Sequence, residues 1–259
     1  EMVLWDALGA VLWALLLLVA ALSLLRLNAI RLSYRRPRHA AVVVLGDIGR
    51  SPRMMNHAES LANLGFTVSL VGYVESAIPD VIASQPAVTI HAIPTPRRLP
   101  RGNKLLYIVA APIAALSRSL ALLRAITRGG RKGIVLLQNP PSIPTLMVAR
   151  LYTWFWDGSA LVIDWHNYGY TIMETTGAPG VLVKLARGYE RVWGRCGDAH
   201  LCVSDAMRKD LRDKWGIPRA SVMYDRAPAR FRRLAPQERV ELLTRLEAEG
   251  LLPNGSKWG

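Results

Sequence analysis

Cysteine is scarce in this sequence: its 259 residues include only two, Cys196 and Cys202. Two cysteines cannot form the several bridges of a disulfide-stabilised secreted domain, and their spacing does not match the paired short spacings of a zinc site. We therefore expect both thiols to be reduced and buried.

Acidic residues are also few, with 19 against 33 lysines and arginines, so the formal net charge is +14. This excess indicates an anionic partner: nucleic acid, an anionic membrane surface or a phosphate-bearing substrate. No nucleic-acid-binding module is recognisable, so we expect no nucleic-acid partner. The hydrophobic content of 51% is too high for a disordered chain and is enough for a filled core.

Charge is absent from residues 7–25, which read ALGAVLWALLLLVAALSLL. As a helix this run spans roughly 28 Å, about the thickness of a bilayer's hydrocarbon core. A cleaved signal peptide and a buried core helix are the alternatives. A signal peptide would have positive charge before the apolar run, whereas here Glu1 and Asp6 precede it and Arg26 follows. We therefore predict a retained single-pass anchor.

A basic segment follows the predicted anchor, with arginines at positions 26, 31, 35, 36 and 38. Positive charge beside a membrane helix favours the cytosolic side, and anionic headgroups attract it. Residues 1–40 are therefore predicted to form an anchor and linker, and the rest of the chain is expected to be cytosolic.

Beyond the linker, short apolar runs alternate with longer amphipathic stretches. The predicted strands cover residues 41–45, 66–71, 88–93, 133–137, 160–164, 199–203 and 221–224. The predicted helices cover residues 52–64, 105–126, 143–156, 181–195 and 206–215. Continuously apolar strands followed by helices indicate a parallel sheet covered on both faces. We predict a doubly wound α/β domain over residues 41–233, with its ligand site beyond the carboxyl ends of the strands.

The loop after the first predicted strand contains the first candidate substrate-binding residues: Gly46, Asp47, Gly49, Arg50, Ser51 and Arg53. Ser51 can cap the next helix, and Pro52 suits its first turn. A helix N-terminus flanked by two arginines would suit a diphosphate. The glycine spacing departs from the dinucleotide fingerprint, so a capped turn with solvated arginines is the alternative.

Two further loops follow buried strands. Residues 138–144 read QNPPSIP, in which Asn139 is a candidate ligand contact and the prolines equally fit a rigid turn. Residues 164–170 read DWHNYGY and combine a carboxylate, an imidazole and an amide with aromatic rings, a set that suits a sugar. Its candidate substrate-binding residues are Trp165, Asn167 and Tyr168. Asp164 and His166 are the candidate general bases, the alternative being that both are structural.

A basic cluster lies before the long predicted helix 105–126, with Arg97, Arg98, Arg101 and Lys104. Because the helix is strongly apolar, it fits either a position against the membrane or burial beside a solvated charge run.

The loops GDIGRSPR, QNPPSIP and VIDWHNYGY, followed by YERVWGRCGDAHLCVSDAMRKDL and VMYDRAP, resemble the chitobiosyldiphosphodolichol β-mannosyltransferase family over residues 42–231. The resemblance implies a GT-B fold and an endoplasmic-reticulum anchor with a cytosolic catalytic part. It also implies GDP-mannose as donor and dolichyl-diphosphate chitobiose as acceptor. Inversion in a single displacement, with no cofactor and no required metal, and contact with other dolichol-pathway glycosyltransferases are further implications.

A second Rossmann-like domain follows in that family, whereas residues 234–259 here read as one polar helix and a short end. We therefore expect the acceptor-side half only, which leaves a fragment, a truncated gene model and half of a split enzyme as alternatives. A non-catalytic, membrane-anchored module that binds the acceptor or recruits a partner is the competing function.

Overall fold

A computed structural model describes residues 2–95, 104–227 and 231–251. Its strands are β1 (His39–Asp47), β2 (Thr67–Tyr73), β3 (Val88–Ala92), β4 (Ile134–Asn139), β5 (Ala160–Trp165), β6 (Ala199–Cys202) and β7 (Ser221–Val222). They form one sheet in the order β3-β2-β1-β4-β5-β6-β7, and every neighbouring pair is parallel. The predicted doubly wound α/β domain is confirmed.

The helices between the strands cover both faces of the sheet, and two more helices lie before β1 and after β7 in the chain. They are α1 (Met2–Ser33), α2 (Pro52–Asn63), α3 (Asp80–Ala83), α4 (Lys104–Thr127), α5 (Thr145–Tyr152), α6 (Gly169–Thr175), α7 (Gly180–Gly194), α8 (Asp205–Trp215) and α9 (Pro236–Ala248). A 3₁₀ turn, Ile48–Arg50, precedes α2, and a π-helical turn, Thr153–Asp157, follows α5. Sequence periodicity did not predict α3, α6 or the 3₁₀ turn, because each is short and lies within a loop.

The core has two layers, one on each face of the sheet. On one face, side chains from β1, β4 and β5 pack against α4, α5 and α8, including Leu122, Leu146 and Leu211. On the other face, Val42 and Leu70 pack against Met54 and Ala58 of α2. Burial of both faces explains why the strands read as unbroken apolar runs.

The N-terminal helix α1 contains the described segment that is long and apolar enough to cross a membrane, Trp13–Ser33. Its last turns pack against the π-helical turn, where Arg26 donates to the Trp154 carbonyl and Ala29 is fully buried. Gly158 has a φ of +68°, and a Cβ there would collide with the Ala29 carbonyl oxygen. Glycine at this position therefore permits the backbones to meet.

Helix 143–156 was predicted as one continuous element, but α5 ends at Tyr152 and the π-helical turn replaces its last part. Asp157, buried at the end of that turn, accepts from the hydroxyls of Tyr152 at 2.6 Å and Ser159 at 2.6 Å. These local bonds compete with the regular helical pattern.

Both cysteines are free, but only Cys202 is buried, so the prediction of two buried thiols was wrong for Cys196, which is half-buried. Cys196 lies just after α7 and donates to the Val192 carbonyl on that helix's outer side.

Contacts between Cα atoms divide the chain into two compact units, Glu1–Asp225 and Arg226–Gly259. The second unit contains α9, whose start is held by an ion pair between Arg232 and Glu238. The predicted basic cluster at Arg97, Arg98 and Arg101 lies outside the described residues, as does the side chain of Lys104.

Candidate active site at the carboxyl edge of the sheet

The candidate site lies where β1, β4 and β5 end, on both sides of the point at which the strand order reverses. In doubly wound sheets the connections on the two sides of this point leave in opposite directions and open a crevice. The loop after β1, the loop after β4 and the loop after β5 meet here, as the sequence predicted.

Asp164 is the centre of this region and is completely buried at the end of β5. Its two oxygens receive a bidentate contact from Arg53, with Nε at 2.7 Å and Nη2 at 2.8 Å. Nε2 of His57 and Nε2 of His166 each lie 2.9 Å from Asp164 Oδ2. One carboxylate therefore orients a guanidinium and two imidazoles.

Burial by itself would raise the pKa of the Asp164 carboxyl, but hydrogen bonds from His166, His57 and Arg53 outweigh it and hold that pKa far below its usual range. Asp164 therefore stays ionised at neutral pH. An anion this strongly stabilised is a poor proton acceptor, so of the two candidate bases Asp164 is better suited to orienting its neighbours.

His166 has the geometry expected of a base. Its side chain is 22% exposed, and its Nε2 faces Asp164, while Nδ1 makes no hydrogen bond with any residue that the structure describes. Because the carboxylate faces one ring nitrogen, the other is directed away from it. His57 makes the same contact but is less exposed, at 11%.

Arg53 does not form the diphosphate seat predicted for it. Only 9% of its side chain is exposed, and its Nη1 also reaches Asp225 Oδ1 at 3.0 Å and the Met223 carbonyl. The Arg53 guanidinium therefore contacts Asp164 on one side and residues 223 and 225, which follow β7, on the other. Arg50, by contrast, has an 83% exposed side chain, whose Nε lies 3.6 Å from Asp47 Oδ2 and donates to the Ser76 hydroxyl at 3.2 Å.

The rest of the first loop is held by the Asp47 side chain, which binds backbone N–H groups of this loop and of the loop after β2. Asp47 Oδ1 accepts from the N–H groups of Gly49, Glu75 and Ser76 at 3.3, 3.1 and 3.2 Å. A Cβ at Gly49 would lie 2.7 Å from the Ser76 carbonyl oxygen, whereas one at Gly46 would make only ordinary contact. Gly49 is therefore needed for packing against the loop after β2.

Ser51 occupies the N-cap position of α2 but does not cap it through its side chain, contrary to prediction. Its hydroxyl donates to the Asp47 carbonyl at 3.0 Å, because the preceding 3₁₀ turn brings that oxygen within reach. Pro52 at the first helical position is confirmed.

Asn139 at the end of β4 is completely buried and holds two parts of the site together through hydrogen bonds. Its Nδ2 donates to Glu190 Oε1 at 2.7 Å, and its backbone carbonyl accepts from the His166 N–H at 2.9 Å. Glu190 also accepts from the N–H groups of Gly169 at 2.9 Å and Tyr170 at 3.2 Å. This buried glutamate therefore ties the loop after β4 to the first turn of α6, where a carboxylate is favoured.

The aromatic residues of the third loop differ in exposure. Trp165 is fully buried and donates from Nε1 to His200 Nδ1 at 3.2 Å, so its predicted contact with substrate is corrected to a core role. Tyr168 stacks on Trp215 with ring centres 4.8 Å apart and donates to Asp210 at 2.7 Å. Burial, reinforced by Asp210, raises the pKa of the Tyr168 hydroxyl well above its usual value. Asn167 is exposed and its Oδ1 accepts from the Tyr168 N–H, which leaves its amide nitrogen open.

A cavity of about 350 Å³ opens beside this loop. Its walls come from the loop after β4, from α6 and from α7. Among the described residues, no group of three or more His, Cys, Asp and Glu side chains is arranged to hold a metal ion.

Four of the residues that build the site were not identified from the sequence: His57, Glu190, Asp210 and Asp225. Only His57 carried a usable signal, because it lies four positions after Arg53 on α2 and therefore on the same helix face. The other three come from elements distant in the chain, and their role depends on strand order.

A parallel sheet of this order, with a cluster of titratable side chains and a cavity at its carboxyl edge, defines a doubly wound α/β domain with a candidate ligand site. Residues 49–224 match the family described as Glycosyl transferase 4-like domain. The chain belongs to that family.

Two curated relatives extend the comparison. A protein named UDP-glycosyltransferase TURAN from Arabidopsis thaliana is 39% identical over 83% of this chain and 47% of its own length. A chitobiosyldiphosphodolichol beta-mannosyltransferase from Mus musculus is 40% identical over 86% of this chain and 45% of its own length. The chain thus spans about half the length of the curated relatives it matches. The crystal structure of CalG4, the calicheamicin glycosyltransferase, matches with a TM-score of 0.46 and 12% identity over 78% of this chain and 56% of that chain.

Proposed function

We propose that this chain is the acceptor-side half of a β-1,4-mannosyltransferase that transfers the first mannose from GDP-mannose to dolichyl-diphosphate chitobiose during N-glycan precursor assembly. The observation that carries the proposal is the pairing of His166 with the buried, ionised Asp164 at the carboxyl edge of a glycosyltransferase-family domain. The name of the mouse relative supports the acceptor and the mannosyl group. Because the Arabidopsis relative is named for UDP, UDP-mannose is the donor to compare with GDP-mannose.

The chemistry follows from the geometry of the dyad. His166 accepts the proton of the acceptor's sugar hydroxyl through Nδ1, and Asp164 stabilises the imidazolium that results. The freed oxygen attacks the anomeric carbon of the donor, the bond to the nucleoside diphosphate breaks, and the configuration inverts in one displacement. Asp164 is a positioning residue in this scheme, and Arg53 and His57 keep it ionised.

The remaining candidate residues form two groups, those with exposed groups that can reach a ligand and those that shape the loops. Arg50 and Asn167 have groups that can reach a ligand, Arg50 towards a phosphate and Asn167 towards a sugar hydroxyl. Gly46, Asp47, Gly49, Ser51, Asn139 and Tyr168 shape the loops that hold them. No metal is required in this proposal, and we expect transfer to persist in EDTA.

We further propose a single-pass protein of the endoplasmic-reticulum membrane with its catalytic part in the cytosol. The apolar helix Trp13–Ser33 and the arginines that follow it support this orientation. The donor nucleotide would be held by the second domain that the longer relatives have room for, and other dolichol-pathway glycosyltransferases are proposed partners.

The test is transfer of labelled mannose from GDP-mannose to phytanyl-diphosphate chitobiose by membranes that contain this chain fused to the remaining half of the mouse relative. We expect a mannosylated product with the fusion and none with its His166→Ala variant. UDP-mannose serves as the competing donor. Absence of product from a well-folded fusion would refute the proposal.

The apolar helix Trp13–Ser33 and the cavity beside the site also fit one alternative, a non-catalytic membrane-anchored module that binds the acceptor or recruits a partner. It predicts that affinity purification of the chain recovers a separate nucleotide-binding polypeptide. Under this alternative His166→Ala leaves function unchanged, which distinguishes it from the catalytic proposal.

A further inference from the structure

The cavity beside the candidate site has mainly apolar walls. Pro140, Pro141 and Ile143 form one side, and Ile172 and Met173 of α6 form the other. Ala186 and the buried Glu190 of α7 close its inner end. Most of this surface is apolar carbon, so a ligand here would lose its hydration and gain few polar contacts.

The polar groups of the cavity are few and mostly occupied. The carboxylate oxygens of Glu190 already accept from Asn139, Gly169 and Tyr170. Ser142 is 6% exposed, and its hydroxyl has no hydrogen-bond partner among the described residues. A sugar ring needs a donor or acceptor for each hydroxyl that is buried, and one serine cannot satisfy it. The cavity therefore favours an apolar ligand.

One basic residue lies beside the cavity. Arg187 is exposed on α7, and its guanidinium carbon lies 5.4 Å from the centre of the Tyr170 ring, which lines the cavity. The buried end contains the anionic Glu190, so an anionic group is favoured at the rim and disfavoured inside. An apolar interior with a cationic rim suits an amphiphile whose charged end is a phosphate.

The position of the cavity links it to the candidate active site. Gly169 lines the cavity and follows His166 by three residues, and the His166 N–H donates to the Asn139 carbonyl directly before the proline wall. Ile143 and Ile172 remain 41% and 42% exposed at the entrance. The cavity therefore borders the loop that contains the dyad.

We propose that this cavity binds the first isoprene units of a prenyl diphosphate, with the diphosphate held at the rim by Arg187. The inference rests on the proposed function, since it assigns the lipid part of the same acceptor. The remainder of a long prenyl chain leaves through the opening between Ile143 and Ile172.

The experiment measures binding without any donor, on the full chain in amphipol, using a diazirine-bearing farnesyl diphosphate as probe. We expect cross-links on the α6 peptide that contains Ile172 and Met173. Ile172→Asn should weaken binding of farnesyl diphosphate and of farnesol about tenfold, because an apolar contact is lost. Leu185→Asn is the matched control, because Leu185 is 64% exposed on α7 and does not line the cavity. It should leave the binding of both farnesyl diphosphate and farnesol unchanged.

The role of the rim is tested separately. Arg187→Gln should weaken the binding of farnesyl diphosphate several-fold and leave the binding of farnesol unchanged. Arg191→Gln, one turn further along α7, should change the binding of neither ligand. Cross-links confined to α1 or α4, equal effects of Ile172→Asn and its control, or complete displacement of the probe by inorganic diphosphate would each overturn the inference. Because no transfer is measured, these outcomes are independent of mannosyltransferase activity. Transfer by the fusion without cavity binding would refute this inference and leave the proposed function standing.

Discussion

Replacing Asp164 by asparagine removes the charge around which the site is organised. The variant keeps the shape of the side chain but leaves Arg53, which is 9% exposed, without its bidentate partner. Breaking a buried ion pair from one side typically costs about 3–5 kcal/mol. Because Arg53 keeps Asp225 at 3.0 Å, a partner that is largely exposed, we expect the lower end, about 3 kcal/mol of unfolding free energy.

The pH dependence of this loss provides a second test. The folded-state pKa of Asp164 is depressed, so its contribution to stability is fully present above the pKa of the unfolded chain, about 3.9, and is lost as the pH falls through the folded value. The loss of stability in Asp164→Asn should therefore persist from pH 8 down to about pH 4 and should become smaller on acidification below about pH 4.

Urea unfolding of the full chain in detergent, followed by tryptophan fluorescence, measures the loss of unfolding free energy and its dependence on pH. Asp213→Asn is the matched control, since Asp213 is an exposed carboxylate paired only with its neighbour Arg212, and its replacement should leave the midpoint unchanged. A stability loss no larger than that of the control, or a loss that does not become smaller below about pH 4, would show that Asp164 does not hold the cluster together.

Further predictions concern the residues around this cluster. In the active fusion, His166→Ala should lower the transfer rate about 10²–10⁴-fold with acceptor binding preserved, and His57→Ala should lower it much less; equal losses would contradict the assignment of the base. Glu190→Gln should destabilise the domain by about 1–3 kcal/mol in the same unfolding assay, because an amide nitrogen would face a backbone donor; an unchanged midpoint would contradict this. Gly158→Ala should cost about 1–3 kcal/mol through strain at positive φ and should expose the segment after α1 to limited proteolysis, and an unchanged digestion pattern would argue against the docking of α1.

Much of the fold was predictable because the parallel sheet leaves a simple signal. Strands buried on both faces, such as residues 41–45, must be apolar throughout, and the intervening helices show a 3.6-residue period. Boundaries shifted by a few residues where hydrogen bonds extend beyond the apolar run, as at β1, which continues to Asp47. Residues 143–156 were the larger error, because periodicity does not distinguish an α-helix from one that widens into a π-turn.

The site was only partly predictable. Its three loops were identified because ligand sites in such sheets lie after the strands, and the order of strands brought them together. The direction of each side chain was not predictable: Arg53 and Trp165 point into the protein, whereas Arg50 and Asn167 point out. Such choices depend on which partner is within reach, and that is a tertiary property.

By itself, the sequence determined the class of fold, the apolar N-terminal helix and the loops that hold the candidate chemistry, because these depend on local periodicity and on residues adjacent in the chain. Only the tertiary structure decided that Arg53 and His57 meet Asp164 across more than a hundred positions, and that Glu190 joins two loops beside an apolar cavity. The physical reason is that charge pairing and burial act over a few ångströms of space, and sequence separation carries no information about that distance until the strand order is known.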